Sequence, residues 1–171
     1  MKRVIAFLII LALTFCSACS SGESRHSNEA ISSLLGVDVS QAEMRTSIDN
    51  YDGFHGDGAY CLIMPFDDDS CLTQIRNNEN WIELPLTENL SAIVYGIKDE
   101  TSSVGPYISF DSANTPAIPN IENGYYFFED RHTASADSQD DTDIFTRNSF
   151  NLTIAIYDVD SNTLYYLELD T

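Results

Sequence analysis

FNLTIAIYDVDSNTLYYLEL, residues 150–169, is the stretch on which the fold turns. Phe150, Leu152, Ile154 and Ile156 alternate with Asn151, Thr153, Ala155 and Tyr157, the period-2 pattern of a strand. DVDSN, residues 158–162, supplies the turn, and TLYYLEL, residues 163–169, runs back as the second strand of a hairpin. Upstream, GYYFFED, residues 124–130, reads as another strand, and AYCLIMPF, residues 59–66, is apolar on both faces, as in a central strand covered on both sides. EMRTSID, residues 43–49, alternates with Met44, Thr46 and Ile48 on one face.

Helices interrupt these strands. EAISSLLG, residues 29–36, reads as a short helix stopped by Gly36. Asp67, Asp68 and Asp69 precede a second, with Cys71, Leu72 and Ile75 on one face; acidic residues there cap free N–H groups and complement the helix dipole. Thr87 caps a third, in which Leu90, Ile93 and Val94 form the stripe and Gly96 ends it. WIELPL, residues 81–86, is an apolar connector whose Trp81, the sole tryptophan, reads as a core plug. Residues 98–120 are polar and contain Pro106, Pro116 and Pro119, with YISF, residues 107–110, as a candidate short strand; TASADSQDDTD, residues 133–143, reads as a mobile loop. The order predicts one α+β domain over residues 29–171: an antiparallel sheet of about five strands with two or three short helices on one face.

The first residues give an address. Met1-Lys2-Arg3 is a short positive region, residues 4–15 (VIAFLIILALTF) are apolar, and CSACSSGES follows. Twelve apolar residues suit a signal peptide and are short for a membrane span. Cys19 follows the small residues Ser17 and Ala18, as at a bacterial lipoprotein cleavage site, although Cys16 stands where a leucine is usual; the alternative is an ordinary secretory signal cut nearby. Residues 1–18 are therefore expected to be removed, Cys19 to carry diacylglycerol and palmitate, and residues 19–28 to form a flexible tether. One acyl chain holds a protein only marginally, and a lipoprotein cysteine with several holds it stably. The domain is expected at the cell membrane, lipid-anchored, facing outside the cytoplasm.

The chain holds 8 basic and 27 acidic side chains. Loss of Lys2 and Arg3 leaves 6 basic against 27 acidic, a net charge near −21. Nucleic acid is an improbable partner for such a surface, and so is a peripheral grip on anionic lipid. The expected partners are the membrane, through the anchor, and an unidentified protein or small-molecule ligand. Cys61 and Cys71 are read either as a disulfide, which an exported location permits, or as two buried thiols. No cofactor is implied, and no CxxC or HxxxH spacing points to zinc.

Two clusters carry candidate chemistry. YDGFHGDGAY, residues 51–60, places three glycines, two aspartates and a histidine between two expected strands. Its plainer reading is a wide hairpin loop, with Asp57-Gly58 as the turn signal. The functional reading takes His55 as a base or metal ligand oriented by Asp57. EDRH, residues 129–132, ends a strand; should the sheet bring that end to the glycine loop, Arg131, His132, His55 and Asp57 would converge on an anionic or sugar-like ligand. DVDSNT starts like a calcium loop, but Thr163 replaces its glycine and Leu169 its last acidic ligand, which favours a hairpin turn.

Together, the lipoprotein-like start, FHGDG (residues 54–58), WxxLPL (81–86), NGYYFFEDRH (123–132) and AIYDVDSNTLYYLELDT (155–171) resemble a family of small uncharacterised lipoproteins of Gram-positive bacteria. Relatives often carry H-G-G-F-H-G-D-G where this chain has Tyr51 and Asp52, a departure that counts against a two-histidine metal site here. It implies no known activity. The expectation is a lipid-anchored binding or interaction module. The alternatives are a hydrolase or metal-dependent enzyme using His55 and Asp57, and a calcium-stabilised surface module.

Overall fold

The structure, a computed structural model, describes residues 25–49, 57–98, 100, 103–110, 113–132, 135 and 137–171. Cys19 and His55 lie outside the described residues. The domain is α+β, as expected. Its centre is the C-terminal hairpin of β7 (Asn151–Asp158) and β8 (Thr163–Asp170). β2 (Gly58–Pro65) pairs with β8, β6 (Gly124–Asp130) pairs with β7, and β1 (Arg45–Asp49) and β3 (Ile82–Glu83) form the edges. The order is β1-β2-β8-β7-β6-β3, every pair antiparallel. The sixth strand, β3, was read as connector because a two-residue strand carries no periodicity. β4 (Ile97–Lys98) and β5 (Ser103–Val104) make a separate small ribbon, and YISF forms only a single bridge, Ser109 to Pro116.

The helices occupy both faces of the sheet, a correction to the one-faced arrangement expected. Ile31 and Leu35 of α1 (Asn28–Leu35) and Cys71, Leu72 and Ile75 of α2 (Ser70–Ile75) pack with Tyr60, Leu62, Met64, Ala155 and Tyr166. Leu90, Ile93 and Val94 of α3 (Glu88–Val94) pack on the opposite side with Cys61, Ile154, Ile156, Leu167 and Leu169. The reason is already in the strands. β7 and β8 are buried at almost every position, and a strand apolar on both faces requires a layer on each.

Two of these three helices begin with a side-chain cap. Ser27 accepts Ala30 N–H at 3.2 Å, and Thr87 accepts Leu90 N–H at 3.1 Å. Gly36 closes α1 in the left-handed region at φ 65°, its N–H returning to Ser32 O at 2.9 Å. At α2 the cap differs from expectation. Asp68 accepts Ser70 N–H at 2.9 Å, while Asp69, at the cap position, makes no such bond. Trp81 is a core plug, 6% exposed, with its indole N–H donated to Leu35 O at 3.0 Å.

Two further expectations change. The register slips by one residue between Thr46 and Ile48, so Met44 packs with α1 and α2 while Ile48 packs with α3. A bulge inserts one residue and sends everything beyond it to the other face. The tether also ends earlier than residue 28, because Arg25, His26 and Ser27 already make contacts with the domain.

Candidate functional site

Antiparallel register gathers four chain segments at one end of the sheet. Gly58, the first residue of β2, pairs with Asp170, the last of β8, and Asn151, the first of β7, pairs with Asp170 from the other side. Arg131 leaves β6 here, its N–H bonded to Asn151 O at 2.7 Å. Asp57 immediately precedes β2. A cleft of about 360 Å³ opens at this end, lined by Asp57, Arg131, His132, Ser149, Asn151 and Asp170, among others. Of the four residues expected to converge, Asp57, Arg131 and His132 therefore share one cleft, and His55 lies outside the described residues.

The roles within it are unequal. Arg131 is committed to the protein: Nε donates to Thr153 Oγ1 at 3.1 Å, and Nη2 to Leu152 O at 3.1 Å and Asp170 Oδ1 at 2.9 Å. It clamps the end of β6 onto β7 and β8. Asp130 is buried and divides its carboxylate between His132 N–H at 3.1 Å and Arg147 Nη1 at 2.7 Å. That fixes the backbone from which His132 projects. His132 Nε2 lies 3.3 Å from Ser149 Oγ, and Asp57 is exposed at the rim.

Sequence reasoning missed the charged group beneath this end. Glu168 is 3% exposed. It receives Arg25 Nη2 at 2.6 Å, meets His26 Nε2 at 2.9 Å and accepts the Tyr166 hydroxyl. The His26 ring lies flat on Tyr60, centroids 3.6 Å apart and planes 6° from parallel. Burial pushes the Glu168 carboxyl up, but the bonds from Tyr166 and His26 and the guanidinium groups of Arg25 and Arg131 outweigh it and hold the group below its ordinary value. In YYLELD, Glu168 looks like one polar residue on an outward face. Its pairing with Tyr60 and Thr153 puts it on the face that α1 and α2 cover.

The other candidates separate from the cleft. Cys61 and Cys71 are both free and buried, and they lie on opposite faces of the sheet, so the disulfide considered from the sequence does not form. Burial raises each thiol to about 12, with the Asp38 charge adding to the rise at Cys71. In the DVDSN turn, Asp158 accepts Asp160 N–H at 2.9 Å and Ser161 Oγ at 2.7 Å, and Asp160 accepts Asn123 Nδ2 at 2.7 Å. Asn162, at φ 51°, donates to Phe66 O and Asp68 O at 2.9 Å. These oxygens serve the turn, and among the described residues no group of three or more His, Cys, Asp or Glu side chains is placed to hold a metal ion.

A second concavity of about 300 Å³ collects Asp130, Asp137, Asp140, Asp143 and Arg147. Asp137 and Asp140 turn onto their own loop, accepting Gln139 N–H at 3.0 Å and Thr142 N–H at 2.9 Å. The loop, read as mobile, is tied to α3 through Asn89 Nδ2 and Asp141 O at 2.9 Å and through Thr87 and Asp141. Comparison with protein-family models, curated proteins and solved structures found no match to this chain.

Proposed function

We propose that this protein is a lipid-anchored, extracytoplasmic binding module, held to the membrane through Cys19, that takes a small polar ligand in the sheet-end cleft without transforming it. The observation that carries the reading is the convergence of Asp57, Arg131, His132 and Asp170, from three separate stretches of the chain, on one cleft of about 360 Å³. Concave sites of this size, with a few polar groups held by rigid elements, are where ligands bind. The signal-like start, the cysteine after Ser17-Ala18 and the resemblance to small lipoproteins support the location. The net charge of −19 supports a ligand other than nucleic acid.

The test has two arms. Cys19→Ala is expected to move the protein from the membrane fraction to the soluble fraction; retention in the membrane would refute the anchor. A thermal-shift screen of sugars, organic acids, amino acids and short peptides is expected to give at least one stabilising compound, by linkage. Asp57→Ala, at an exposed rim position, should cancel that shift and leave the unliganded melting temperature within about 1 °C. A flat screen would refute the cleft.

One contact supports a second reading, hydrolysis. Ser149 Oγ and His132 Nε2 are 3.3 Å apart, the relation of a nucleophile to its base. Covalent labelling of Ser149 by a fluorophosphonate, lost in His132→Ala, would establish it in place of simple binding.

A further inference from the structure

The N-terminal segment docks at the same end of the sheet as the cleft. Arg25 Nη2 reaches Glu168 Oε2 at 2.6 Å and Asp170 Oδ2 at 3.1 Å, and His26 stacks on Tyr60. Arg25 also borders the cleft itself. Cys19 stands only six residues before Arg25. Six residue steps span at most about 20 Å, even fully extended. A domain of roughly 150 residues is on the order of 40 Å across. A lipid on Cys19 therefore holds this end of the sheet beside the bilayer, and the opposite end, where Asp158 pairs with Thr163, away from it.

Exposed aromatic rings lie at the held end. Tyr107 is 40% exposed and Phe145 38%, and their centroids are 6.1 Å apart. Both touch the half-buried Phe150, at 5.0 and 6.0 Å. Phe150 borders the cleft together with Arg25, which puts the cluster where the chain enters. The pairs with Phe150 are edge-to-face, with planes 70° and 86° apart, so the cluster offers no flat platform. A lipid layer is fluid and needs none. Apolar surface left in water costs free energy in proportion to its area, and burial recovers it. Tyrosine, with an apolar ring and a polar tip, suits the boundary between lipid and water.

The cluster is also held in place from behind. Tyr107 N–H bonds to Ile93 O at 2.9 Å, Phe145 follows the buried Ile144, and Phe150 exchanges two bonds with Thr171, at 2.9 and 2.8 Å. We propose, resting on the lipid-anchor reading, that Tyr107, Phe145 and Phe150 form a second membrane contact, entering the interfacial layer of the bilayer to which Cys19 ties the domain. The contact is apolar. The arginines at this end are ion-paired, Arg25 with Glu168 and Asp170, Arg131 with Asp170 and Arg147 with Asp130. The net charge of −19 repels anionic headgroups, so the surface fits lipid without net charge. A weak contact is enough, because a short tether supplies an effective concentration on the order of millimolar. The cleft beside the rings is thereby placed at the membrane surface.

The test uses the mature, lipidated chain in phosphatidylcholine vesicles, with brominated acyl chains as the fluorescence quencher. Trp81, the sole tryptophan, is buried and gives the background. Phe145→Trp should lose most of its added fluorescence in brominated vesicles, and so should Tyr107→Trp. Ile82→Trp, at a site 50% exposed on β3 and paired with Tyr126 towards the other end of the sheet, should lose none. Phosphatidylglycerol added at low salt should weaken the quenching; stronger quenching would overturn the apolar assignment. Circular dichroism melts check that each variant is folded, and Tyr107→Trp carries the test should Phe145→Trp unfold. Equal quenching at position 82, or none at 107 and 145, overturns the contact. Release of Cys19→Ala from the membrane in that case leaves the anchor standing alone. Retention of Cys19→Ala in the membrane overturns the anchor and this contact with it.

Discussion

Glu168 links the N-terminal segment to the sheet. Removed from water, its carboxylate is stable because Tyr166, His26, Arg25 and Arg131 each favour the charged form. The sign of its pH dependence follows. A carboxyl held below its ordinary 4.5 contributes stability that is complete above that value and is lost as pH falls below it. Glu168→Gln should therefore cost about 1.5–3 kcal/mol near neutral pH, the range for hydrogen bonds to a charged group. The gap between wild type and variant should hold from about pH 7 to pH 5 and narrow below about 4.5. Urea denaturation of both proteins across that range measures it, and a gap that widens on acidification would contradict the assignment. At this scale the sequence was partly legible. Asp57, Arg131 and His132 could be expected together because antiparallel strands return their ends to one place. Cys61 and Cys71 could not be separated, because their faces depend on which element covers which side.

Among the elements, those with a full period and a capping residue were readable. Gly36 ends α1 and Thr87 begins α3 through local hydrogen bonds that nearby residues suffice to make, whereas Ser27, expected in the tether, is the residue that caps α1. The bulge in β1 was not readable, since an inserted residue leaves no local mark and is defined only against Ile63, Leu62, Cys61 and Tyr60 on the partner strand. α1 shows how a short helix depends on what packs against it. Its last carbonyls at Leu35 receive Trp81 Nε1 at 3.0 Å and Asn78 Nδ2 at 3.2 Å, donors about forty residues away. Trp81→Phe keeps much of the ring volume and loses the N–H, and should cost about 1 kcal/mol. Trp81→Ala also leaves a cavity beside Phe127 and should cost about 3–5 kcal/mol. Denaturation followed by circular dichroism compares them, and equal costs would mean that the hydrogen bond, rather than packing, dominates.

For the whole molecule, an acidic surface is set against a sheet buried on both faces. The core lies on both sides of β7 and β8; of the strands only residues 59–66 were legible as covered on both faces, and the helices, expected on one face, divide between the two. The charge was legible at once, and its consequence is general. With 27 acidic against 8 basic side chains, folding concentrates like charge, and screening relieves it. Raising sodium chloride from about 20 to about 500 mM should raise the melting temperature by several degrees, because the Debye length contracts from tens of ångströms to a few. The same experiment addresses the calcium-stabilised alternative. Asp158 and Asp160 already accept hydrogen bonds from Asp160 N–H, Ser161 and Asn123, so a cation in that turn would have to displace them. Calcium and magnesium chloride at matched ionic strength should therefore stabilise alike, within about 1 °C, as screening without a dedicated site requires. A calcium-specific excess, lost in Asp158→Asn and absent with magnesium, would instead make the hairpin turn a cation site.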